Sequence, residues 1–139
     1  MREIKFRAWN KNLKKMYKIG QITLEKGTWN YEPDNREYIG MSIPYQPSFV
    51  LMQYTGLKDK NEKEIYEGDI IEIKGYSNKG YNTGLVKEIY VVEFKDFCWS
   101  CGIKSLLNLA TINWASIEVI GNIWEDSDLI NDSKNTKTN

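Results

Sequence analysis

Apolar residues recur along this chain in short runs, many with a two-residue period, and polar clusters rich in Gly, Asn and Asp separate them. That pattern predicts strands, not helices. Residues 3–9 alternate, with Ile4, Phe6 and Ala8 on one side and Lys5, Arg7 and Trp9 on the other, as in a half-buried strand. Asn10-Lys11-Asn12 is a polar turn, and residues 14–19 return as the second arm of a hairpin. Residues 21–24 and 28–31 are shorter, weaker strands. Pro33, Gly40, Pro44 and Pro47 predict an irregular segment over 32–47, and a loop of that length is often functional. Residues 48–54 make a near-continuous apolar strand of the kind covered on both faces.

The most informative stretch is FVLMQYTGLKDKNEKEIYEGDIIEI, residues 49–73. It spells strand, tight polar turn, short strand, Gly-Asp corner, strand, which is the pattern of a small, strongly bent β-barrel. Gly56 leads the polar insert, and Asp59 and Asn61 are placed to bond nearby backbone amides. A residue near Asn61-Glu62 is expected in the left-handed region, where Glu62 costs about 1–2 kcal/mol relative to Gly. Gly68 turns the corner without a Cβ clash, and Asp69 ties it through its carboxylate. Further on, GYSNKGYNTG at 75–84 predicts a wide reversal carrying Tyr76 and Tyr81. Residues 85–95 are the longest expected strand, with a parity switch near 89–91 that predicts a bulge. Strands follow at 97–103 and 117–123, with a short helix or turn at 106–110 and one helical turn within 124–130. The expectation is one mainly β domain over 1–130 with little helix: an N-terminal hairpin region at 1–47, a barrel or roll core at 48–123, and a disordered polar tail at 131–139.

Composition narrows the function more than it names it. The chain has 139 residues, enough to fold without a metal or disulfide, and its 13% aromatic content favours half-buried sheet surfaces. Lys plus Arg equals Asp plus Glu at 19 each, so the whole molecule has no net pull toward nucleic acid or membrane. Yet residues 1–18 hold Arg2, Lys5, Arg7, Lys11, Lys14, Lys15 and Lys18 against Glu3 alone, and residues 113–132 hold five acids and no base. No run approaches the roughly 18 apolar residues of a membrane helix, and the N-terminus has no apolar core of a signal peptide. A cytoplasmic setting with reduced thiols is expected.

Several chemistries lack their parts. With no histidine, Ser-His-Asp, Cys-His and H-E-x-x-H sites cannot form within this chain. Counted from Asp59, an EF-hand would need oxygen ligands where Lys63 and Ile70 stand and glycine where Glu64 stands. No glycine-rich phosphate loop leads into a helix. Cys98-Trp99-Ser100-Cys101 lies among strand residues, away from the helix N-terminus a redox pair needs, and no other Cys or His completes a zinc set. Glu64, Glu67 and Asp69 are a conceivable acid cluster for an enzyme, but strand parity gives Asp69 a structural role. No catalytic residue, metal ligand or cofactor is therefore expected.

MREIKFRAWN, then LMQYTGLKDKNEKEIYEGDIIEI, then IEVIGNIWED, in that order and spanning residues 1–130, resemble the YopX family of phage and prophage proteins. The block TGLKDKNEKEIYEGDI is the specific part. The chain departs from the family pattern at two turn positions, with Asn10 where Asp is common and Glu62 where Gly is common. The resemblance implies a mainly β domain with an SH3-type barrel or roll and carries no catalytic residues. The leading functional expectation is a non-enzymatic interaction module in a phage-infected bacterial cell. It would bind protein partners (host, phage or further copies of itself) through loops and aromatics such as Tyr76 and Tyr81. The alternative is nucleic-acid binding by the first hairpin, with Lys5, Arg7 and Trp9 on one face and Lys11, Lys14 and Lys15 at its turn.

Overall fold

A computed structural model describes residues 3–23, 28–32, 43–44, 48–79, 82–96, 98–102, 104–106 and 115–130. For 20–23, 28–32, 43–44, 76–79, 82–83, 86, 104 and 115 the description is of the backbone. Eleven strands follow one another among these residues: β1 (Phe6–Asn10), β2 (Lys15–Thr23), β3 (Thr28–Glu32), β4 (Ile43–Pro44), β5 (Phe49–Lys58), β6 (Glu64–Tyr66), β7 (Asp69–Lys79), β8 (Asn82–Lys95), β9 (Cys98–Cys101), β10 (Lys104–Ser105) and β11 (Ala115–Asn122). A single helical turn closes the described chain at 128–130. The fold is mainly β, as the alternation predicts. Among the described residues no helix is long and apolar enough to cross a membrane.

Contacts divide the chain into two compact units, Met1–Tyr54 and Thr55–Asn139, with the boundary inside β5. In the first unit the strand order is β4-β3-β2-β1-β5. The expected hairpin is present: β1 and β2 pair antiparallel from Phe6↔Ile19 to Asn10↔Lys15. β1 also pairs with β5, Ala8 opposite Leu51 and Trp9 opposite Val50. Ala8 and Trp9, of opposite parity, are both buried, so both faces of β1 are covered there, and Met52 and Tyr54 on β5 are buried too. Residues 48–54 are covered less completely than expected, since Leu51 remains 40% exposed beside buried Met52.

In the second unit β6 pairs with the last residues of β5, and a five-stranded sheet runs β10-β9-β8-β7-β11. One face packs Ile71 and Ile73 with Val92, Cys101, Ile117 and Val119, and Ile65 and Leu106 complete that cluster. A bulge between Val119 and Gly121 bends β11. Backbone bonds then join elements distant in sequence: Gly68 N–H to Val92 O (2.9 Å), Ile123 N–H to Gly68 O (2.9 Å) and Lys60 N–H to Ile117 O (3.0 Å). The sheet curls into a roll, as the bent-strand pattern of 49–73 predicts.

Two local expectations are corrected. Most of 75–84 is ladder, not open loop: β7 and β8 pair without interruption from Ile70↔Val91 to Lys79↔Asn82. Ladder bonds are made by backbone, so a Gly- and Asn-rich sequence can extend them once a hairpin has begun. The bulge expected at 89–91 is absent from that ladder. There β8 changes neighbours, pairing with β7 up to Val91 and with β9 from Val92, and it carries apolar side chains on both faces. Residues 33–42, 45–47 and 131–139 lie outside the described residues.

Candidate functional site

Asp59 and Asp69, both singled out from the sequence, are braces. Asp59, 5% exposed, accepts through Oδ1 from Asn61 N–H (2.7 Å) and Lys63 N–H (3.0 Å), and through Oδ2 from Val119 N–H (3.0 Å). Burial pushes its carboxyl up, but the three amides and the nearby Lys63 charge outweigh this and hold it below the usual range. The expected left-handed residue is Glu62, φ 64°. Asn61 donates to Glu118 at 3.4 Å. Gly56 and Gly68 take positive φ, 86° and 78°, the region L side chains avoid. Asp69, fully buried, accepts Tyr66 N–H at 2.8 Å, and Glu64 accepts the Tyr66 hydroxyl at 2.8 Å. Asp59, Gly68 and Asp69 thus stand where the turn chemistry puts them, whereas Asn61, expected to bond nearby backbone amides, turns its side chain to Glu118 instead.

A charged chain on β7 was not legible from the sequence. Glu72 is buried and lies between Lys74 (2.5 Å) and Lys87 (2.6 Å). Hydrogen bonds from the two ammonium groups hold its carboxyl below the usual range against the opposing effect of burial, and Glu72 raises Lys74 in return. Glu118, opposite Glu72 on β11, is bonded by Lys60 at 2.5 Å. That bond, set against partial desolvation, lowers its carboxyl too. Both acids here are paired, Glu72 with two lysines and Glu118 with one. Among the described residues no group of three or more Cys, Asp or Glu is placed to hold a metal ion.

Cys98 and Cys101 are not bridged; Cys98 is exposed and Cys101 buried in the core. The apolar stripe containing Cys101 continues into solvent. Val92 and Cys101 are cross-strand partners at zero exposure, while Phe94, two residues along β8, is 57% exposed. Phe94 pairs across the ladder with Trp99, their ring centroids 5.0 Å apart and edge-on. Leu85 is also exposed. A cleft of about 200 Å³ nearby is lined by Ile89, Tyr90, Val91, Glu93, Gly102 and Ile130. A Cβ at Gly102 would lie 2.7 Å from the Tyr90 ring, so glycine there lets the ring seat. Parity correctly groups Phe94 with Val92, but no sequence signal separates the buried residue from the exposed one. Tyr76 lies in β7 opposite Leu85; Tyr81 lies outside the described residues.

The basic face drawn on the first strand is corrected. Trp9 is 3% exposed, so its ring has no face for a base to stack on. Arg7 is half-buried with Nη2 3.9 Å from Met52 Sδ, and Lys5 pairs with Glu3 at 3.1 Å and lies over the Tyr54 ring. Both faces of β1 are covered at this end of the strand, since Ala8 and Trp9 are buried alike. Lys11, Lys14 and Lys15 remain exposed at the turn.

Fold and site together define a small mainly β protein whose buried acids secure turns and whose apolar β8–β9 face meets solvent. A profile described as YopX protein matches residues 5–131, and the chain belongs to the YopX family. The crystal structure of protein EF1440 from Enterococcus faecalis is similar, with 26% identity and a TM-score of 0.60 over 94% of this chain and 99% of that one. No curated protein matches the chain.

Proposed function

We propose that this YopX-family protein is a phage-encoded, non-enzymatic interaction module that works in the bacterial cytoplasm and binds a protein partner. The observation that carries this reading is the Phe94–Trp99 pair: a core stripe that runs out into water with an aromatic ring 57% exposed at its end. Aromatic anchors of this kind contribute disproportionately to protein interfaces. The acids that an enzyme reading would need are engaged elsewhere: Asp59 and Asp69 on backbone amides, Glu64 on Tyr66 and Glu72 on two lysines.

The test is affinity capture from infected or lysogenic cells with the full chain and with Phe94→Ser, followed by calorimetry with each purified interactor. At least one interactor is expected to bind the unaltered chain and to lose about tenfold or more in affinity with Phe94→Ser, the level of an interface anchor. If every interactor binds both proteins equally, the β8–β9 face is not the contact and the reading fails.

A further inference from the structure

The five-stranded sheet has one guarded edge and one open one. β11 pairs with β7, and its far side is held by the 59–63 turn, where Lys60 N–H bonds Ile117 O (3.0 Å) and Asp59 Oδ2 accepts Val119 N–H (3.0 Å). β8 has β7 on one side from Asn82 to Val91, but β9 flanks its other side only from Val92 to Lys95. Successive residues of a strand turn their amide groups to alternate neighbours. Val92 O accepts Gly68 N–H (2.9 Å) on the β7 side, and Glu93 O accepts the Ser100 hydroxyl (3.5 Å) on the β9 side. Leu85, Lys87, Ile89 and Val91 therefore turn N–H and C=O away from β7, where no described strand meets them. The usual guards of an edge are missing. β8 contains no proline, its ladder with β7 has no bulge, and Lys87 is drawn back across that ladder to Glu72 (2.6 Å). Leu85 is 70% exposed on this edge, and a Cβ on Gly84 would meet nothing within 4 Å.

We propose that this edge pairs antiparallel with the same edge of a second copy, about a two-fold axis at Leu85, so that two sheets become one. An antiparallel edge is its own complement, because the two-fold axis sets each outward N–H against an outward C=O. At this axis Leu85 exchanges both bonds with Leu85 of the second copy, and Thr83 with Lys87. Two constraints select the axis. β8 begins at Asn82, which falls opposite Glu88 of the other copy, so neither strand runs into β9 beyond Val91. Lys87 meets Thr83 and Glu88 meets Asn82, whereas an axis at Lys87 or Glu88 would set like charges face to face. Tyr76, opposite Leu85 on β7, then continues a row Tyr76–Leu85–Leu85–Tyr76 across the joined sheet. No other chain is needed to supply the complementary groups. The contact does not involve the exposed Phe94 ring, so either reading can fail without the other.

Sedimentation velocity of the full chain from about 5 to 500 μM, a range that covers weak association, tests it. A species of twice the chain mass is expected to grow with concentration. Hydrogen exchange at the two ends of that range reads the edge itself. The Leu85 and Lys87 amides should slow by about tenfold or more on association, while those of Val86 and Glu88, bonded to β7 in either state, should not change. Leu85→Lys and Leu85→Glu should each stay monomeric alone, because the axis sets each charge against its own copy. An equimolar mixture of the two should associate, which excludes misfolding as the cause. Phe94→Ser should associate like the unaltered chain. The proposal is overturned if the unaltered chain is monomeric at the highest concentration, or if it associates without protection at Leu85 and Lys87. It is also overturned if either charged variant associates alone as the unaltered chain does, or if their mixture does not associate.

Discussion

The turns at 10–14 and 59–63 share one plan. In each a short polar side chain, Asn10 or Asp59, accepts amides two and three or four residues ahead. In each a residue other than glycine takes the left-handed region, Lys14 at φ 52° and Glu62 at φ 64°. They differ in reach. Asp59 has a second oxygen, and with it grips Val119, 60 residues away, while Lys60 adds a backbone bond to Ile117 and an ion pair to Glu118. Asn10 acts on its own turn, and the residues beyond it are exposed. The carboxylate makes one turn a clamp on the roll; the neutral amide leaves the other a presented tip. A second acceptor oxygen and the Lys60 contacts clamp one turn to β11, whereas the other is tied beyond itself by the Lys11 N–H bond to Ser48 O and leaves its side chains in solvent.

Removing each acceptor tests that contrast most sharply. Asp59→Ala strands the buried Val119 amide and loosens two others, an expected loss of about 3 kcal/mol, against about 1 kcal/mol for Asn10→Ala. Urea unfolding of both variants measures the difference, and equal losses would erase the comparison. Asp59→Asn falls between them. It can keep the Asn61 and Lys63 bonds but turns an NH2 group toward Val119 N–H.

The clamp should also fail in acid, where the tip should not. The carboxyls of Asp59, Glu72 and Glu118 all lie below their usual range in the folded chain. A carboxyl lowered by folding stabilises the native state fully above the unfolded value of about 4, and the contribution is lost as pH falls through the lowered folded value. Melting temperature is therefore expected to hold down to about pH 5 and to drop below about pH 4. Asp59→Asn should show a shallower drop and Asn10→Ala the same drop as the unaltered chain. Parallel acid profiles for all three would remove Asp59 from the clamp.

The smallest effects come from relieving the left-handed residues. Glu62→Gly and Lys14→Gly are each expected to stabilise by about 1 kcal/mol. The exposed Lys58–Glu62 pair at 3.1 Å is lost in the first, a small term in solvent. A gain at both sites shows that the two turns share their strain. A loss at Glu62 would mean that its side chain contributes more than its backbone geometry costs.

Much of this architecture was legible from local sequence. Alternation located β1, the polar turn after it located the start of β2, apolar runs located β5, β8 and β11, and Gly68-Asp69 located the corner, because strand pattern and turn chemistry depend on residues close in the chain. The same local chemistry picked out Asp59 and the left-handed position at Glu62. The tertiary structure decided what depends on neighbours from elsewhere. It covered both faces of β1 and so buried Trp9 as well as Ala8; it closed Glu72 between Lys74 and Lys87; it extended the β7–β8 ladder through a glycine-rich segment. It also left Phe94 and Leu13 in water. Side-chain type and parity say which face a residue takes, but only the packing of distant strands says whether that face is covered.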